Sequence, residues 1–126
     1  MGASIILIIS DSVTTRNNLT TMLRNLGFDD VISLSTTSAK KQTWTSGNRP
    51  AVVLLDGHPS AKVTIRQILT GLFATQNNPI PVILLLTSRE LKGEFLADFN
   101  PYITSVMFKP VSPRLLEQHL HRFFNS

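Results

Sequence analysis

The 126-residue sequence contains no cysteine. That absence excludes a disulfide framework and any thiolate metal site, and it removes the need for an oxidising compartment, so a cytoplasmic location is the simplest expectation. Charge is sparse at 16% of residues, against 42% hydrophobic, a balance that suits a folded chain rather than a disordered one. Long apolar runs are missing as well. The longest, Ile5 to Ile9 and Val82 to Leu86, fall far short of the roughly 20 residues that a membrane-spanning helix needs. No positive stretch or small-residue cleavage site precedes Ile5, so this first run reads as a strand and not as a signal peptide. Acidic residues are outnumbered, eight against twelve Lys and Arg, which gives a formal charge of +4 and a pI near 10.0. The basic residues are scattered, however, with only Lys40 and Lys41 adjacent, and no basic run is interleaved with aromatics. A solvated surface is the expectation, with neither nucleic acid nor membrane as a partner of this domain.

What is present is an alternation of short Ile, Val and Leu runs with segments of helical period, the pattern of an α/β fold with parallel strands. Five runs qualify as strands: Ile5 to Ile9, Val31 to Leu34, Val52 to Leu55, Val82 to Leu86 and Ile103 to Phe108. The first, third and fourth are continuously apolar, as central strands covered on both faces should be, and the second and fifth look closer to an edge. Leu19, Met22, Leu23 and Leu26 mark a first helix closed by Gly27 as a left-handed cap. Ile65, Ile68, Leu69, Leu72 and Phe73 mark a third, which Asn77-Asn78-Pro79 should end. Leu91, Phe95, Leu96 and Phe99 mark a fourth, stopped by Asn100-Pro101, and Ser112-Pro113 opens a fifth. A second helix falls somewhere in Thr36 to Ser46, a polar stretch anchored by Trp44. No repeat or long linker divides the chain, so residues 1–126 read as one domain, whole or taken from a longer protein.

In open parallel sheets, ligands bind beyond the carboxyl ends of the strands. Those ends carry Ser10-Asp11, Asp56, Thr87-Ser88 and Lys109-Pro110. Polar residues follow strands simply because chains turn there, but Asp56 and Lys109 place charges directly beside apolar runs, where an unpaired charge is costly. A plain Asp56–Lys109 salt bridge would satisfy them. A phosphoryl-transfer site would use the whole set: Asp56 as nucleophile, Asp11 as a hard oxygen ligand for Mg²⁺, Lys109 and Thr87 on the phosphoryl oxygens, and the backbone of His58 completing the metal shell. His119 and His121 are two apart on the last helix and so point to different sides, which favours surface or partner roles, and Asp29-Asp30 reads as a solvated turn.

These segments resemble the receiver domains of two-component response regulators, including the single-domain chemotaxis receivers. Ile8-Ile9-Ser10-Asp11-Ser12 with Arg16 and Leu26-Gly27-Phe28 is similar to their opening. Val52-Val53-Leu54-Leu55-Asp56 resembles the phosphoacceptor strand, Leu85-Leu86-Thr87-Ser88 the switch-hydroxyl strand, and Phe108-Lys109-Pro110 the lysine and its proline. The resemblance implies a flavodoxin-like, doubly wound sheet of five parallel strands in the order 2-1-3-4-5, with helices on both faces. It further implies Mg²⁺-dependent phosphorylation of Asp56 by a histidine kinase or phosphotransfer protein, a signal relayed by Thr87, and a cis bond before Pro110. Output domains or protein partners would meet the surface of helix four, strand five and helix five, decorated here by Lys92, Arg114 and Arg122. His58 and Arg89, beside the pocket by family position, would modulate phosphate lifetime.

Departures from the pattern open a second reading. Ser10 stands where the family has the first of two adjacent acidic residues, which weakens the expected Mg²⁺ affinity. Val106 replaces an aromatic switch residue, and Gly57-His58-Pro59-Ser60 displaces the usual proline and glycine of the following loop. The first reading is a phosphorylatable receiver and not an enzyme in the ordinary sense, with at most Mg²⁺-dependent self-phosphorylation and dephosphorylation at Asp56. The alternative is a pseudo-receiver, a phosphorylation-independent module for docking or homodimerisation. A flavodoxin-like enzyme is disfavoured because Ser12-Val13-Thr14-Thr15 lacks the glycines of a phosphate-cradling loop.

Overall fold

In the computed structural model, residues 5–45, 47–74 and 79–124 are described. Ten main elements alternate along the chain: β1 (Ile6–Ile9), α1 (Val13–Asn25), β2 (Val31–Leu34), α2 (Thr36–Lys41), β3 (Val52–Asp56), α3 (Lys62–Ala74), β4 (Val82–Leu86), α4 (Glu90–Phe99), β5 (Ser105–Phe108) and α5 (Pro113–Phe124). The strands form one parallel sheet in the order β2-β1-β3-β4-β5. The continuously apolar runs are the three central strands, buried along their length up to Asp56, and the two mixed runs are the edges.

Because successive strand residues point to opposite faces, each central strand feeds two cores. Leu7, Ile9, Val53, Leu55, Leu84 and Leu86 pack with Ile65, Ile68, Leu69 and Leu72 of α3 and with Phe95 and Phe99 of α4. Ile6, Ile8, Val52, Leu54, Ile83 and Leu85 pack with Leu19 and Leu23 of α1 and Leu116 and Leu120 of α5. Full burial of each such side chain contributes about 1.5–3 kcal/mol, so these two layers outweigh any single polar contact in the molecule.

The helix signals act as expected at most ends. Ser12 caps α1 by accepting from Thr15 N, and Gly27 follows α1 at φ +98°. There Gly27 N donates to Arg24 O and Phe28 N donates to Leu23 O, which satisfies carbonyls that the helix leaves orphaned. α2 is shorter than the stretch expected for it, ending at Lys41, and Trp44 packs on the first core from beyond its end. β5 begins at Ser105 and not Ile103, because a 3-10 turn over Asn100–Tyr102 takes the Ile103 N–H. Asn77 and Asn78, expected to end α3, lie outside the described residues, and so does Ser46.

His119 has a packing role that its position on α5 did not announce. Its Nδ1 lies 3.1 Å from Ser105 Oγ on β5, and burial first, then the positive Arg122, lowers its pKa from 6.5.

Two outcomes follow for stability. Gly27→Ala forces a side chain into left-handed backbone and should cost about 1–2 kcal/mol in chemical denaturation. As pH falls through about 6.5, the unfolded chain takes up a proton at His119 before the folded chain does, so stability declines until the lowered folded value is passed. His119→Gln should flatten that part of the acid slope when urea midpoints are compared across the range.

Candidate functional site

The carboxyl ends of β1, β3 and β5 meet at Asp56, the last residue of β3. Its Oδ1 pairs with Lys109 Nζ at 2.5 Å, and its Oδ2 accepts the Ser10 hydroxyl at 2.7 Å. The side chain of Asp56 is only 12% exposed, so both contacts act where water competes weakly. Lys109 reaches inward from just beyond β5, where its N–H donates to Leu86 O and the Lys109–Pro110 bond is cis. Ser10 is fully buried and fixed on every side: its N–H donates to Leu34 O, its carbonyl accepts from Arg16 Nη1 at 2.6 Å, and its hydroxyl accepts from Ser12 N at 3.1 Å. An amide N–H only donates, so the single hydroxyl proton of Ser10 is left for Asp56.

Asp11 turns the other way. Its Oδ1 accepts from Thr36 N at 2.8 Å, and both of its oxygens lie 2.9 Å from the Thr36 hydroxyl. Thr36 is the buried first residue of α2, so Asp11 places its charge at a helix N-terminus, where the unsatisfied N–H groups favour an anion. Ser35 completes this end by accepting from Ser38 N at 3.1 Å.

Between Asp11 and Asp56 lies a cavity of about 170 Å³, lined also by Ser12, Thr36, His58, Ser60 and Ala61. His58 is exposed, and its Nδ1 accepts from Ser60 N and lies 2.7 Å from Ser60 Oγ, so its ring caps the turn at Pro59–Ala61. Gly57 is required by packing: a Cβ there would stand 2.6 Å from Leu86 Cδ2 and 2.9 Å from Leu84 Cδ1, while Gly57 N donates to Leu85 O. The remaining residues singled out in the sequence sit around this rim. Thr87 is exposed just past β4 and, among the described residues, makes no hydrogen bond to Asp56; Ser88 is half-buried beside it. The Arg89 guanidinium stacks over the Phe108 ring at 5.0 Å, Val106 is half-buried against the α3–α4 core, and Pro110 is exposed.

A Mg²⁺ ion would need hard oxygen ligands with free lone pairs. Asp11 and Asp56 are the carboxylates lining the cavity, and each already receives protein donors: Asp56 from Lys109 and Ser10, Asp11 from Thr36. Among the described residues no three His, Cys, Asp or Glu side chains converge. A Mg²⁺ ion would therefore have to share Asp56 with Lys109 and Ser10, and Asp11 with Thr36, on the lone pairs that these donors leave. Thr36, which holds Asp11, is a buried threonine that the sequence reading passed over. Its one sequence signal is the Ser35-Thr36 pair opening α2, a helix start whose N–H groups favour a nearby anion.

Residues 5–123 match the family described as flagellar regulatory protein FleQ. The chain belongs to the FleQ family. Receiver domains are among the solved structures similar to this FleQ-family chain. One is a response regulator receiver domain protein from Clostridium thermocellum, at TM-score 0.74 and 23% identity over 98% of this chain and 95% of that one. Another is the receiver domain of a signal transduction histidine kinase from Syntrophus aciditrophicus, at TM-score 0.71 and 24% identity over 98% and 91%. A third is the receiver domain of a sensor histidine kinase from Pseudomonas aeruginosa PAO1, with magnesium coordinated in its active-site cleft, at TM-score 0.65 and 23% identity over the full length of both chains. No curated protein matches the chain. At these identities the likeness establishes the fold: the FleQ-family chain is a receiver-type domain with the flavodoxin-like strand order 2-1-3-4-5.

The pairing at Asp56 is open to a direct measurement. Lys109→Met leaves a largely buried carboxylate short of its charged partner and should cost about 1–3 kcal/mol in urea denaturation, and adding Asp56→Asn should recover part of that loss in a double-mutant cycle.

Proposed function

We propose that this receiver domain works as a phosphorylation-independent protein-interaction module in a flagellar regulatory system. The observation that carries the reading is the closed set Ser10–Asp56–Lys109: the carboxylate that would attack a phosphorus atom is held at both oxygens by protein donors. In-line attack needs an oxygen turned toward the phosphorus and a cation to offset the charge of the incoming phosphoryl group, whereas Lys109 and Ser10 fix the direction of both Asp56 oxygens. The family description supplies the flagellar setting. With no helix among the described residues long and apolar enough to cross a membrane, we place the domain's work in the cytoplasm.

The partner surface in this reading is formed by α4, β5 and α5, where Lys92, Arg114 and Arg122 are exposed. Their charge favours an acidic partner, an output domain or another protein, with a second copy of the chain as the homodimeric case. Exposed ion pairs are screened over about 8–10 Å at physiological salt, so raising salt should weaken this docking in a pull-down or titration.

A second reading is kept by one observation. Asp56 and Lys109 remain in contact from the ends of β3 and β5, Thr87 follows β4 between them, and Asp56 opens on the cavity. On that reading a histidine kinase or phosphotransfer protein phosphorylates Asp56 with Mg²⁺, and Thr87 relays the change.

Incubation with Mg²⁺ and a small-molecule phosphodonor, followed by intact-mass measurement, separates the two. The expected result is an unchanged mass. A phosphate adduct that disappears in Asp56→Asn would establish the second reading instead.

A further inference from the structure

The four carboxylate oxygens of Asp11 and Asp56 each already accept from a protein donor: Oδ1 of Asp56 from Lys109, Oδ2 of Asp56 from Ser10, and both oxygens of Asp11 from Thr36. Ser10 is fully buried and Thr36 is 6% exposed, so neither hydroxyl has water as a ready alternative partner. We propose that Ser10 and Thr36, together with Lys109, take the place of a divalent cation at this site, holding Asp56 and Asp11 in an arrangement that needs no metal. This rests on the receiver reading above and extends it to the way the site keeps its charges in place.

The partners of the two carboxylates support the assignment. Lys109 neutralises Asp56, and among the described residues Asp11 is held by the N–H and the hydroxyl of Thr36 alone. A cation entering the cavity would have to use the lone pairs that Ser10 and Thr36 leave, with Asp56 and Asp11 held in the directions those donors set. Where it drew either carboxylate away, a buried hydroxyl or amide would lose its partner, and an unmade hydrogen bond on a buried donor is costly. The mass of the lock is small: two hydroxyls, one on the residue after β1 and one on the first residue of α2. Thr36 is thereby a positioning residue, acting on the site through Asp11, whereas Ser10 touches Asp56 itself.

Replacing Ser10 with a carboxylate tests the proposal, because Ser10→Asp sets a second buried negative charge against Asp56 and creates a need for a cation that the natural chain lacks. Thermal unfolding is followed in EDTA and across a Mg²⁺ titration, with no phosphodonor present. The natural chain should show the same midpoint in both conditions. Ser10→Asp should melt lower in EDTA and recover saturably with Mg²⁺, whereas Ser10→Asn, similar in size and uncharged, should melt lower without recovery. In the Ser10→Asp background, Thr36→Val releases Asp11 and should tighten Mg²⁺ binding several-fold by calorimetry, while Thr36→Ser keeps the hydroxyl and leaves the affinity unchanged.

A saturable Mg²⁺-dependent rise in the midpoint of the natural chain would overturn the proposal, and so would a Ser10→Asp variant indifferent to Mg²⁺. Weaker Mg²⁺ binding in Thr36→Val would remove Thr36 from it. Because no phosphodonor is used, cation binding by a chain that never forms an adduct would sink this inference and leave the proposed function standing.

Discussion

A carboxylate at the end of a fully buried strand has to be neutralised, and the top of this domain is organised around meeting that demand. Val52 to Leu55 are buried without remainder, so the Asp56 charge emerges straight from the apolar layer. Moving an uncompensated carboxylate into such surroundings would cost several kcal/mol, more than any surface ion pair returns. The compensation comes from the strand beside β3 and from the edge strand beyond β4. β1 contributes Ser10, and β5, through the Lys109–Pro110 segment, contributes Lys109. The loops after these strands are therefore fixed to one another by the same carboxylate, and their positions are not independent of it.

The outer face carries a second polar cluster of a different kind. Lys62 at the start of α3 donates to Glu94 and Asp98 of α4 and lies 5.2 Å from the Phe95 ring, and Arg66 stacks over Phe99 at 5.1 Å. The hydrogen bonds, to Glu94 first and then Asp98, raise the Lys62 pKa. These groups stand toward solvent, so the hold of α4 on α3 is dominated by buried Phe95 and Phe99, and the charges select the register in which the helices meet.

The central strands and most helix ends were legible in the sequence because they depend on short-range signals, whereas the strand order followed only from the resemblance to receiver domains. Unbroken Ile, Val and Leu runs mark β1, β3 and β4, and Gly27 and Ser112-Pro113 mark helix boundaries. The Asp56–Lys109 pair was legible too, since two charges beside apolar runs have few other ways to be satisfied. What could not be read was the direction taken by side chains with more than one available partner. Asp11 was free to face Asp56 or α2, and its choice rests on Thr36, 25 positions away, whose burial no local pattern reveals. Gly57 escaped for the same reason. Its need for a missing side chain comes from Leu84 and Leu86 on another strand, and its own backbone is not left-handed.

The sheet's two margins have a consequence for how the protein behaves in a crowded solution. β2 and β5 each run for only four residues, and β2 turns Ile32 and Ser33 outward. An unpaired strand margin is a template on which another extended chain can grow, and short margins are one of the ways folded proteins blunt it. Here each open margin offers only four residues of pairing, so a sheet whose interior is almost entirely aliphatic presents a short template to its neighbours. Lengthening β2 beyond Leu34 at the expense of α2 would trade that protection for an adhesive border.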